Sequence, residues 1–140
     1  MENMGLELLF KGNNFLRLWG GLWITLRIAL ISMLFSLILG FFLGIIMRIK
    51  NPVLKVICRI YLEIVRIMPQ LVLLFLVYFG AAKHLGVNMS GEGAAVLVFT
   101  FWGTAEMGDL VRSALGAIPK HQYESGYGLG LTKWQGYLYI

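Results

Sequence analysis

The twenty residues IALISMLFSLILGFFLGIIM, at positions 28–47, carry no charge, and this run limits the fold more than any other feature of the chain. At a helical rise of about 1.5 Å per residue it covers a hydrocarbon layer of about 30 Å. Lipid offers the backbone no hydrogen-bond partners, so a segment of this kind must satisfy its own amides as a helix. Composition agrees: 59% of the 140 residues are apolar and 14% are charged, and the mean hydropathy is +0.77, outside the soluble range. The net charge of +5 would suit a nucleic acid if the basic residues formed a stripe. They are scattered between apolar runs instead, which points to membrane lipid and excludes nucleic acid.

The stretch MENMGLELLFKGNNFLRLWGG precedes that run and has neither a basic n-region nor a small-residue cleavage signature. The first span, about 22–47, is therefore expected to stay in the mature chain. In residues 1–19, Leu6, Leu8, Leu9, Phe10, Phe15, Leu16, Leu18 and Trp19 alternate with charges and with Gly12, Asn13 and Asn14. This reads as one or two short interfacial helices or as a frayed end. Gly40 and Gly44 either present a small-xxx-small face to another helix or reflect glycine's frequency in membrane helices.

RIKNP at 48–52 is a turn, because asparagine before proline disfavours helix. A second span is expected over about 53–82. Its first half carries Lys55, Arg59, Glu63 and Arg66 at steps of four, four and three, which stacks them on one face that cannot look at lipid. Pro69 then removes a backbone bond and bends the helix. KHLGVNMSGEG at 83–93 is a polar loop, and a third span follows over about 94–115, with Glu106, Asp109 and Arg112 again on one face. Lysine and arginine are more frequent near 48–59 and after the third span than in the 83–93 loop, so those two regions are expected on the cytoplasmic side and the N-terminus outside.

Counted along the helices, Arg66 and Glu106 each lie roughly 16 to 18 Å from the ends at which their spans enter the membrane, near the middle of the bilayer. A charge there costs about 2.5 to 3.5 kcal/mol even on a lenient insertion scale. Two arrangements relieve that cost. Glu63 pairs with Arg66 and Asp109 with Arg112 as structural ion pairs within their own helices, or Arg66 and Glu106 border an aqueous path for a solute carrying both signs, such as a free amino acid.

Cys58 has no partner cysteine and reads as an inert buried thiol. His84 and His121 form no metal set with it, and no metal is expected. The glycine-rich run before Lys133 is not a phosphate loop, because G-x-x-x-x-G-K-[ST] is absent. No catalytic constellation is present, so an enzyme is not expected. The closing segment, about 118–134, has too little apolar surface to cross and enough to dock on a partner. Gly130 is the natural place for a sharp turn between two short helices there.

IPKHQYESGYGLGL in this segment resembles the cytoplasmic EAA loop of membrane subunits in binding-protein-dependent ABC importers. Glu124, Ser125 and Gly126 fall at the E-A-A places, the last two departing from alanine, and Gly130 falls at the following glycine. Thr25-Leu26 leading to Ser32, YLEIVRIMPQLVLLF at 61–75 and AEMGDLVRSALGAIPKHQYE at 105–124 resemble the polar amino acid permease branch. There Y-x-E-x-x-R-x-x-P and A-E-x-x-R-x-x-x-x-x-I-P occur in the same order. Ile67 and Met68 stand where that branch has small residues.

The resemblance, which covers the chain beyond about residue 20, implies an all-α permease subunit of the cytoplasmic (inner) membrane, multi-pass, with Glu124, Ser125, Gly126 and Gly130 coupling to ATP-binding subunits. It also implies a second permease subunit, identical or sibling, and an extracytoplasmic amino-acid-binding protein. ATP would be used by the partner subunits, with no cofactor on this chain. GYLYI at 136–140 resembles the start of a fourth span, so a shortened form, residues 20–140 being a partial transmembrane domain, is the expectation. An ATPase-independent channel or secondary carrier would also place charges at the midplane, but it leaves 118–134 without a role.

Overall fold

A computed structural model describes residues 11–86 and 88–139, except for the side chains of 81–85, 120, 123, 133, 137 and 138, so that Leu6 to Phe10 of the expected interfacial segment lie outside it. Every regular element among the described residues is a helix: α1 (Asn14–Ile46), α2 (Pro52–Ile67), α3 (Gln70–Leu85), α4 (Gly91–Ala117), α5 (Lys120–Gly128) and α6 (Lys133–Tyr139). Helix α1 is continuous over 33 residues, about 50 Å. Phe15 to Trp19 thus belong to the same helix as the uncharged run and form no separate interfacial helix. Gly20 and Gly21 lie inside it, and a penalty of about 1 kcal/mol per helical glycine is too small to break so long a helix.

Helices α1 and α4 pack along a seam of small residues. Ser32, Ser36, Gly40 and Gly44 recur every fourth residue and are the buried positions of α1. Between membrane helices there is no hydrophobic drive to associate, so close packing has to supply the attraction, and small side chains permit it. The approach leaves no room for a methyl group: a Cβ on Gly40 would lie 2.5 Å from Met107 Cβ, and one on Gly44 2.6 Å from Val111 Cβ. Gly103 faces Ser36 in the same way, and Ser36 Oγ donates to the Thr100 carbonyl at 3.3 Å. Partners rise together in number along both helices, so α1 and α4 run in the same direction. At the start of the seam, Arg27 of α1 pairs with Glu92 in the first turn of α4, where a carboxylate also suits the helix dipole.

Two parallel helices need a long return, and α2 with α3 provides it. Asn51 caps α2, its Oδ1 accepting from the amides of Val53 at 2.9 Å and Leu54 at 3.4 Å, and Pro52 occupies the first turn, where its missing N–H costs nothing. Asn51→Ala is expected to destabilise the chain by about 1 kcal/mol, measurable as a small fall in thermal midpoint in detergent. At the far end Met68 is extended, with ψ 124°, as a residue before proline must be. The chain turns by 102° between α2 and the apolar part of α3, a break sharper than the bent continuous span expected over 53–82.

Each of these helices has 16 residues, about 24 Å, which is short of a 30 Å layer. Among the described residues two helices, α1 and α4, are long and apolar enough to cross a membrane, and three spans result if α2 and α3 are taken together. Helix α4 packs against α1, α3 and α2, in decreasing extent. Its polar face is turned toward the end of α2.

Candidate functional site

Arg66 lies in the last turn of α2, and the break at Pro69 frees its side chain from a following helical turn. The guanidinium reaches across to α4 and holds two carboxylates: Nε donates to Glu106 Oε1 at 3.3 Å and Nη2 donates to Asp109 Oδ2 at 2.6 Å. The other oxygen of Asp109 accepts from Arg112 Nε at 2.9 Å and Nη2 at 2.6 Å. The four groups form one chain, Glu106 to Arg66 to Asp109 to Arg112, with no net charge. Asp109 is its most enclosed member, with a side chain 19% exposed against 45% for Arg66.

Of the pairs expected within helices the structure has Asp109 with Arg112 and not Glu63 with Arg66. Arg66 meets Glu106 across helices, and Asp109 binds Arg112 within its helix and Arg66 as well. Glu63 forms no ion pair among the described residues and lines a cavity beside Arg66. That cavity, about 470 Å³, is lined by Met47 just after α1, the charged face of α2, and Asp109 and Arg112 of α4. A second, of about 490 Å³, lies along Arg66, Glu106, Met107, Asp109, Leu110 and Ser113. The Arg66–Asp109 bridge is common to both.

Tyr61 fixes α2 against α4 five residues before Arg66. Its hydroxyl donates to the Phe101 carbonyl at 2.6 Å, and its ring meets Phe101 edge-on at 4.8 Å between centroids. Edge-on aromatic contacts of this kind are favourable. The spacing Tyr61-x-x-x-x-Arg66 was visible in the chain, but its meaning depended on which α4 carbonyl lay opposite.

The closing segment forms a helix, turn and helix of well-defined local chemistry. Helix α5 ends in a Schellman motif: the Leu131 amide donates to the Gly126 carbonyl at 3.1 Å and the Gly130 amide to the Tyr127 carbonyl at 3.0 Å. Gly130 has φ +82°, in the left-handed region that glycine enters without steric cost. Thr132 then opens α6 through a capping box. Its amide donates to Gln135 Oε1 at 2.9 Å and the Gln135 amide donates back to Thr132 Oγ1 at 3.4 Å. T-x-x-Q is a sequence signal for this start. Glu124 and Ser125 are exposed and Gly126 is buried. Leu129 and Trp134 are 84% and 80% exposed, apolar side chains open to a partner.

Comparison with known proteins points the same way. Residues 36–140 match the family model described as binding-protein-dependent transport system inner membrane component. The probable glutamine ABC transporter permease protein GlnP of Bacillus subtilis is 31% identical over 123 residues, covering 88% of this chain and 56% of that protein. The probable amino-acid ABC transporter permease protein YckA of the same organism is 35% identical over 77 residues, 55% of this chain and 34% of that one. The chain spans between 34% and 56% of the length of these curated relatives. A crystal structure of an amino acid ABC transporter with histidines shares the fold, with a TM-score of 0.71 and 24% identity over 83% of this chain and 54% of that chain.

Proposed function

The chain belongs to the binding-protein-dependent transport system inner membrane component family, and from that membership we propose that it acts as a permease subunit of an ATP-driven amino acid importer. The names of its relatives support amino acids as the cargo. In this reading the start of α1 faces outside, and α5 and α6 face the cytoplasm and dock on ATP-binding subunits, which hydrolyse the ATP. A second permease subunit, identical or sibling, completes the pathway, and an extracytoplasmic binding protein delivers the solute. Arg66, Pro69 and Glu106 border the path, and Asp109 joins them.

The observation that carries the proposal is the α5–α6 unit. Its turn is fixed by two backbone bonds and its second helix by a reciprocal cap, and it offers Leu129 and Trp134 to a partner. A channel or secondary carrier has no use for such a lever. The test is co-purification of the chain, assembled with its sibling subunits, with the ATP-binding subunit. Gly130→Val places a β-branched residue in the left-handed region at a cost of about 1–2 kcal/mol, and is expected to abolish co-purification and uptake. Gly130→Asn, which tolerates that region better, is expected to retain part of both. Wild-type co-purification by Gly130→Val would refute the proposal.

A further inference from the structure

The larger charge balance of the α1–α2–α4 cavity is not closed by the four-membered chain. Lys55, Arg59, Arg66 and Arg112 line the cavity with only Glu63 and Asp109. Counting Glu106, which Arg66 also holds, four cations stand against three carboxylates. The chain from Glu106 to Arg112 is neutral in itself. What is left is Lys55, Arg59 and Glu63, with one excess positive charge, and none of the three has an ion-pair partner among the described residues.

Uncompensated cations inside or beside a bilayer are costly unless they reach water or an anion. Lys55 and Arg59 are one helical turn apart, on the same face and close enough to share one ligand. They belong to the first turns of α2, next to the polar 48–51 turn, so the cavity is approached from the level at which headgroups lie. The opposite face of α2 is apolar and open, with Val53 63%, Ile57 57% and Ile64 49% exposed. A helix divided in this way seats at a lipid interface with its cations near phosphates.

We propose that this cavity binds one oxyanion between Lys55 and Arg59, and that the phosphate of an anionic membrane lipid supplies it. A soluble phosphate ester would present the same chemistry, so the test separates the two sources. The site needs only that the chain sits in a bilayer, and its failure would leave the transport proposal untouched.

The full chain is reconstituted in nanodiscs of phosphatidylcholine containing phosphatidylglycerol and released for native mass spectrometry. One phosphatidylglycerol is expected to stay on each chain. Retention should fall about ten-fold in the Lys55→Gln/Arg59→Gln double variant, the scale of losing charge-assisted hydrogen bonds. It should return in Lys55→Arg/Arg59→Lys, which keeps both charges, and be unchanged in Lys50→Gln, whose residue lies outside the cavity. Retention by the wild-type chain should also weaken as salt is raised. In a second arm, glycerol 1-phosphate is titrated onto the chain in phosphatidylcholine alone. Saturable binding there with no retained phosphatidylglycerol would overturn the lipid source. Retention that is insensitive to salt, or equal in the double-glutamine variant with helicity preserved, would overturn the site.

Discussion

Gly44→Val is expected to force α1 away from α4 and to lower the thermal midpoint of the detergent-solubilised chain. A Cβ at this position would lie 2.6 Å from both Cβ and Cγ1 of Val111 and 2.9 Å from the Gly108 carbonyl oxygen. The last of these is backbone, which cannot swing aside. Valine adds two further methyl groups to the same place. Overpacking of a tight contact costs about 1–3 kcal/mol, and the upper end applies where backbone is the obstacle. Gly20→Val is the internal control: it adds the same side chain to the same helix where a Cβ meets nothing within 4 Å. Equal midpoints for the two variants would show that the seam does not hold the bundle together.

Asp109→Asn is expected to be the most damaging substitution in the charged cluster. Each oxygen of Asp109 receives a different arginine. Asparagine keeps one acceptor and turns an N–H₂ group toward the other cation, so one arginine loses its bond and the cluster gains a net positive charge. An arginine that loses its carboxylate must find water or another partner, and the exposure of both arginines lets water offset part of the loss. Uptake by the assembled transporter should fall by at least about ten-fold, with the chain still inserted in the membrane. Glu106→Gln should have a smaller effect, because Arg66 keeps its 2.6 Å contact with Asp109 and glutamine still offers an acceptor, without the charge, at the 3.3 Å contact. Glu63→Gln, which breaks no ion pair among the described residues, sets the baseline. Uptake in Asp109→Asn equal to that baseline would remove the cluster from the mechanism.

Much of the architecture could be read from local chemistry. An uncharged run of twenty residues in lipid needs a helix, Asn51-Pro52 starts one and Pro69 ends one, and glycine at position 130 answers a demand of backbone geometry. The size of the turn at Pro69 could not be read, because proline only removes a bond and the packing of α3 on α4 decides where the chain goes next.

The ion pairs show the same division. Spacing alone brings Asp109 to Arg112, three residues on. That Arg66 also reaches Asp109 depends on how α2 is rotated against α4, which Tyr61 sets through a carbonyl forty residues away. The seam was half visible in Gly40 and Gly44. Its continuation through Ser32 and Ser36 is the same four-residue period written in a polar residue. Ser32 satisfies its hydroxyl on the Ile28 carbonyl at 2.6 Å, and Ser36 uses the Thr100 carbonyl of the facing helix.

The neutrality of the chain from Glu106 to Arg112 has an electrical consequence. Carrying an elementary charge through the membrane potential involves about 2.3 kcal/mol per 100 mV. When two guanidiniums and two carboxylates travel together those works cancel. A rearrangement that moves the four by the same distance along the membrane normal carries no net charge of this cluster through the field.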